Sequence, residues 1–287
     1  MLYVHWILYS LGYLFTAGLF LWLAKKLFDL LTPYSVDLQL TEKDNPALGI
    51  TLVGYLLGVA AIICGVFSGE TVEPTLAVFK EEIVPVVIYG ALGMVLLFVA
   101  GIINDKVVLN QFSNQKEIAE NRNTAVATVM GAAYTGSGLI IAGGIVGSLD
   151  LQSALAAFVV GQLALTIFAR IYQAVTKYDD QEELGARKNL AAGLGYAGHL
   201  LAYSIILMKG LAMNNADLIS WTDRLIHVAY YAVAGCILLF LIRLLNDRLF
   251  LPKAKLSEEI ARDRNISAGV MEAGLAMAAG CILNFCL

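Results

Sequence analysis

The seven residues Glu117-Ile118-Ala119-Glu120-Asn121-Arg122-Asn123 return 142 positions later as Glu259-Ile260-Ala261-Arg262-Asp263-Arg264-Asn265, with five of the seven identical. The same offset carries Asn104-Asp105-Lys106 onto Asn246-Asp247-Arg248. A match held at a fixed offset is the mark of a duplicated structural unit. Each copy of the motif opens a long apolar run, so the unit is a membrane module with its polar repeat at the membrane surface.

Composition supports that reading. Hydrophobic residues make up 59% of the 287, charged residues 15%, and the mean hydropathy is +0.74. A soluble domain is nearer about 45–50% apolar and about 25% charged. Eight runs approach the roughly twenty residues that span a bilayer core: Trp6–Ala24, Pro46–Phe67, Val84–Ile103, Thr124–Val146, Leu151–Ala169, Leu190–Met208, Leu225–Ile242 and Ile266–Leu287. The first lacks a basic leader and a small-residue cleavage site, so it reads as a retained helix. Of the 19 Lys and Arg, all but Lys80, Lys209 and Arg224 fall in the odd-numbered loops. The positive-inside rule then places those loops in the cytoplasm and both termini outside. Cys64, Cys236, Cys281 and Cys286 lie inside apolar runs with no CxxC, and read as buried thiols acting as small hydrophobes.

The repeat has a finer grain. Each cytoplasmic loop ends in a charged cluster and an Asn that opens the next span: Asn45, Asn123, Asn189 and Asn265, preceded by Asp44, Arg122, Lys188 and Arg264. Asn45 to Asn189 is 144 residues and Asn123 to Asn265 is 142, so hairpins one and two map onto three and four. The expected fold is all-α: eight transmembrane helices as four hairpins, in two parallel repeats at residues 1–147 and 148–287. Parallel repeats are related by an axis along the membrane normal. Helix N-capping accounts for an Asn at each start, and the flanking Arg122, Lys188 and Arg264 would also suit an anionic headgroup. Gly and Ala concentrate in the even-numbered spans, which predicts a tightly packed inner layer, with the odd spans as a lipid-facing ring.

Tandem four-span units with a charged cluster, Asn and a Gly/Ala-rich span resemble the YjfL-type family of bacterial inner-membrane proteins, catalogued as a domain of unknown function. The resemblance covers the whole chain as two fused copies, with Asn123 and Asn265 matching the Asn-x-Ala/Ser start of the last span. It implies a multi-pass protein of the bacterial inner membrane with a context of envelope stress. It supplies no reaction and no catalytic residue.

Glu272 is the one carboxylate inside these eight apolar runs, and its first-half counterpart is Met130. An ionisable group at that depth is a candidate site by default. His199 lies at a comparable depth in the sixth span, which allows a Glu–His pair if the two helices are neighbours. The more ordinary expectation is a neutral Glu272 bonded to Thr128, Thr135, Ser137, Gln162 or Thr166. The outer loop carries Glu70, Glu73, Glu81 and Glu82, read as a solvated acidic segment. No phosphate loop, HExxH, GxSxG or Cys/His metal spacing is present, so the reading assigns no catalytic residue, metal or cofactor. No basic, aromatic-interleaved surface suggests nucleic acid. The expected role is non-catalytic, in envelope homeostasis or stress, with the lipid bilayer and a cytoplasmic stress-response partner or a homo-oligomer as partners. The alternative is a small channel or transporter for protons, cations or polyamines along the even-numbered helices. Scarce intramembrane charge and the absence of Pro-broken spans weigh against it.

Overall fold

The computed structural model describes residues 2–68, 75–147, 151–212, 220–249 and 254–287. Among these residues it is all-helical, and eight helices are long and apolar enough to cross a membrane. The odd spans are α1 (Leu2–Leu31), α4 (Leu76–Val107), α7 (Leu151–Val175) and α10 (Trp221–Leu249). The even spans are α3 (Pro46–Phe67), α6 (Thr124–Val146), α9 (Leu190–Leu211) and α12 (Ile266–Cys286). The odd helices run several residues past the apolar stretches. Asp29, Glu81, Glu82 and Asp105 therefore stand on helices too, towards their ends, and Pro85 lies inside α4.

Four short helices that apolar periodicity does not show precede the even spans: α2 (Val36–Thr41), α5 (Asn114–Ala119), α8 (Asp180–Leu184) and α11 (Leu256–Ala261). Ser35, Ser113 and Asp179 cap three of them through their side chains. Three or four residues past the end of each comes a residue in the left-handed region: Asp44, Arg122, Lys188 and Arg264, with φ of 46°, 49°, 50° and 50°. This backbone disfavours residues with a Cβ, by about 1–2 kcal/mol. The charged residue before each Asn thus occupies the turn that aims Asn into the next helix.

All four Asn residues act as N-caps. Each Oδ1 accepts from the backbone N–H groups two and three residues on, as Asn189 does from Ala191 at 3.1 Å and Ala192 at 3.4 Å. The Nδ2 atoms do something that capping does not require. Asn45 donates to the Ile118 carbonyl at 2.9 Å, Asn123 to Leu184 at 2.8 Å and Asn189 to Ile260 at 2.8 Å. Each of those carbonyls belongs to the next hairpin's short helix. Asn265, at the end of the series, donates to Glu259 of its own hairpin and is exposed.

Above this ladder α3 packs along α6, α6 along α9 and α9 along α12. Small residues let the backbones meet. A Cβ on Gly54 would lie 2.3 Å from the Gly131 Cα, and one on Gly198 would lie 2.3 Å from the Ala273 Cα. The odd helices pack against one side of this row, α4 between α3, α6 and α7, and α10 between α9, α12 and α7. The opposite side is an open apolar groove of about 580 Å³, lined by residues of all four even helices, among them Val53, Leu57, Ala132 and Met277. The expected inner layer inside an odd-numbered ring is therefore corrected to two layers, with one face left bare by the described residues. Only α6 and α9 are mainly buried, while α3 and α12 form the edges of the row. The cysteines need correction as well. Cys64, Cys281 and Cys286 are exposed on the helix surfaces and Cys236 is half-buried.

The two halves are pinned by a buried triangle. Asn104 Nδ2 donates to Ser137 Oγ at 3.1 Å, Ser137 Oγ to Gln162 Oε1 at 3.0 Å, and Gln162 Nε2 to Asn104 Oδ1 at 2.8 Å. Every member is satisfied by another, which is what makes such a network tolerable in an apolar interior. Of the outer acidic segment, Glu70 and Glu73 lie outside the described residues. Glu82 is on α4, held by the hydroxyls of Tyr9 and Tyr13.

Candidate functional site: a buried ion pair and its first-half counterpart

Glu272 is 4% exposed on α12, and its partner is a cation. Arg243 Nε on α10 lies 2.7 Å from Glu272 Oε1, with the two side chains 15% and 2% exposed. Taking both ions out of water is costly, and only close pairing offsets it. The expectation of a neutral Glu272 bonded to Thr or Ser is overturned. Thr128 bonds the Thr124 carbonyl, Thr135 the carbonyls of Gly54 and Gly131, and Ser137 and Gln162 belong to the Asn104 triangle. Sequence reading missed Arg243 because it stands just past the apolar run and counts there as a loop cation. The detectable signal was that Arg243 and Glu272 both break the repeat, standing where the first half has Gly101 and Met130.

His199 is beside the pair but does not form it. Its Nδ1 sits 3.9 Å from Glu272 Oε1 and 2.9 Å from the Gly195 carbonyl. Gly195 itself is required by close approach, since a Cβ there would meet Glu272 Oε2 at 2.6 Å. The Arg243 guanidinium lies over the Tyr172 ring, 4.9 Å from its centroid, within cation–π range. Tyr172 stacks on Tyr196 with centroids 4.6 Å apart and planes 2° from parallel. Asp180, at the start of α8 and outside the membrane-spanning segments, is 2% exposed and accepts from the Thr176 hydroxyl. Burial pushes its carboxyl up to about 7, against the opposing pull of the Thr176 hydrogen bond and of Arg243. A cavity of about 120 Å³ lies beside Arg243, lined also by Thr176, Phe240 and Leu256.

The first half holds a counterpart at the same place. The helix ends put α1 to α3 in register with α7 to α9, and α4 to α6 with α10 to α12. Phe28, Thr32, Tyr34 and Tyr55 thus stand where the second half has Tyr172, Thr176, Tyr178 and His199. Here a cavity of about 160 Å³ is lined by Phe28, Tyr34, Tyr55, Phe98, Tyr134, Asp105 and Asn114, among others. The two halves exchange bulk: Gly101 and Tyr134 in the first become Arg243 and Ala276 in the second. A Cβ on Gly101 would meet the Tyr134 ring at 2.7 Å.

Of the remaining candidates, Asn45, Asn123 and Asn189 are buried in the ladder, whereas Arg122 and Arg264 are exposed and Lys188 Nζ donates to the Asn121 carbonyl at 3.1 Å. No group of His, Cys, Asp and Glu that would hold a metal occurs among the described residues.

Fold and site define a multi-pass integral membrane protein built from two parallel four-helix repeats. The chain belongs to the family described as Domain of Unknown Function (DUF350), which it matches twice, at residues 1–145 and 147–287. No curated protein and no solved structure matches it.

Proposed function

We propose that this protein is a non-catalytic scaffold of the bacterial inner membrane, with both termini outside, that assembles head to tail with further copies of itself. The observation that carries this reading is the Asn ladder, which is repeated three times and then left open. Asn45, Asn123 and Asn189 each reach the next hairpin, while Asn265, among the described residues, donates its amide only to Glu259 of its own hairpin. The helix faces agree. A Cβ on Gly193 would meet Ala125, and one on Gly136 would meet Ser204, across α6 and α9. The corresponding positions on α12 are Ser267 and Ala278, both exposed, and on α3 they are Gly49 and Ala60. A second copy laying α3 on α12 repeats a contact the chain already makes. Such a heterologous interface forms a ring or an open array.

The non-catalytic part rests on Glu272 being engaged with Arg243 rather than standing free. A channel or transporter reading leaned on that carboxylate and loses support accordingly. The link to envelope homeostasis, including a cytoplasmic stress-response partner, rests on the family resemblance, and the orientation rests on the basic loops.

Assembly is tested by the mass of the full chain in lipid nanodiscs. Multiples of the monomer are expected, and Gly274→Trp should return monomers of unchanged thermal stability. A Cβ at Gly274 meets nothing within 4 Å, so the substitution leaves the monomer intact. Monomers throughout, or a Gly274→Trp variant that assembles normally, would sink the proposal. Reporter fusions at Lys116 and Asp150 should report opposite compartments.

A further inference from the structure

We propose that the first-half cavity binds the ammonium group of a small organic cation, at the place where the second half supplies a cation of its own. The two cavities are equivalent by repeat, and the second shows what the architecture favours there. In the second half the guanidinium of Arg243 lies over Tyr172, whose first-half counterpart is Phe28. In the first half Gly101 contributes no side chain, and Tyr134 stands where the second half has Ala276. Phe28, Tyr55 and Tyr134 form a mutually tilted group, with centroids 5.1 Å apart for Phe28–Tyr55, 5.6 Å for Tyr55–Tyr134 and 6.5 Å for Phe28–Tyr134. Tyr34 and Phe98 add further ring surface. The negative face of an aromatic ring attracts a cation, and cages of several rings bind quaternary and alkylated ammonium groups.

Two polar groups fit the same ligand. Asp105 lines the cavity and is exposed, so its carboxylate supplies a countercharge at the mouth. Asn114 is 2% exposed. Its Nδ2 donates to Asp105 Oδ1 at 2.8 Å and to the Leu109 carbonyl at 2.9 Å, while its Oδ1 has no donor among the described residues. A buried acceptor without a donor is uncommon and costs stability until something supplies one, as the hydroxyl of choline or an N–H of an ethanolamine ammonium can. In the second half the corresponding residue is Leu256, so this polar feature belongs to the half that lacks the arginine. The volume of about 160 Å³ matches a compact group, since a cavity of about 150 Å³ holds benzene. An alkylated ammonium headgroup is of that size.

The ammonium group has two sources, a free molecule or a lipid headgroup, and the test separates them. Choline is titrated against the full chain in detergent, with 3,3-dimethylbutan-1-ol as its uncharged isostere. In parallel, thermal stability is compared in nanodiscs of phosphatidylethanolamine and of phosphatidylglycerol. Saturable stabilisation by choline but not by the isostere is expected if the source is free. Stabilisation by the ethanolamine lipid alone is expected if the source is lipid. In either arm Asp105→Asn should weaken the response about tenfold. The triple variant Gly101→Arg, Met130→Glu and Tyr134→Ala, which copies the second half's arginine, its carboxylate partner and the small residue that makes room for them, should abolish it by filling the cavity with a tethered guanidinium. No stabilisation in either arm would overturn the proposal, as would equal binding of the uncharged isostere or a response that survives both variants.

Discussion

Replacing Arg243 and Glu272 one at a time and then together measures what the buried pair does. Glu272→Met installs the first-half residue and leaves a guanidinium 15% exposed with no carboxylate at Nε. Breaking a buried pair from one side costs roughly 3–5 kcal/mol. This variant belongs at the lower end, because Arg243 keeps its contact with the Tyr172 ring and the field of Asp180. Arg243→Leu leaves a carboxylate 2% exposed whose neighbour His199 is 3.9 Å away and already bonded to Gly195. That carboxylate can be discharged by taking up a proton. From the ordinary Glu value of about 4.3, doing so at pH 7 costs about 4 kcal/mol, falling to about 1 at pH 5. The Arg243→Leu defect should therefore shrink on acidification, while the Glu272→Met defect should not. The double variant removes both charges and should recover most of the loss, as expected when an ion pair is replaced by apolar side chains. Thermal unfolding in detergent at pH 7 and pH 5 is the assay, with each single variant lowering Tm by about 10 °C at pH 7. Additive losses, with the double variant the least stable of the set, would refute the reasoning.

The ladder makes a separate claim. Asn189→Ala should cost about 2–4 kcal/mol, a lost cap plus the Ile260 carbonyl and Glu183 Oε2 left without their donor, although Arg187 still holds Glu183 Oε1. Asn265→Ala, measured on the monomeric Gly274→Trp background, should cost about 1 kcal/mol or less, since that residue is exposed and bonds only within its hairpin; equal losses would remove the ladder's role. Asp180 has its carboxyl raised by burial to about 7, so the folded state holds a proton that the unfolded state releases from about pH 4 upward. Its contribution is full below pH 4 and declines as pH rises through 7, so Asp180→Asn should gain stability over the native protein at pH 8 and not at pH 4. Gly198→Leu should prevent α9 and α12 from closing, because the new side chain meets Ala273 backbone; a variant that folds with native stability would show the row is looser than described.

Much of the architecture was legible in the sequence because a bilayer imposes local rules. Span length, small-residue content and the fixed offset of Glu117–Asn123 from Glu259–Asn265 follow from hydrocarbon thickness, close packing and duplication, and each can be read along the chain. The role of Asn at each helix start was legible for the same reason, since a cap bonds to residues two and three positions on. The short helices α2, α5, α8 and α11 were not, because five or six residues carry no readable period. The left-handed residues that follow them, Asp44, Arg122, Lys188 and Arg264, look like loop charges until φ is known. Tertiary structure alone decided three things: that Asn123 reaches Leu184, that the described residues leave one face of the even row bare, and that Glu272 faces Arg243. These depend on which helices become neighbours and how they are rotated about their axes, and neither is encoded in the spacing within any one helix. The loss of symmetry at Met130 and Glu272 was visible in the sequence. Its partner at Gly101 and Arg243, and the exchange of Tyr134 for Ala276 that makes room for it, acquired meaning only once α10 and α12 were seen to enclose the same space.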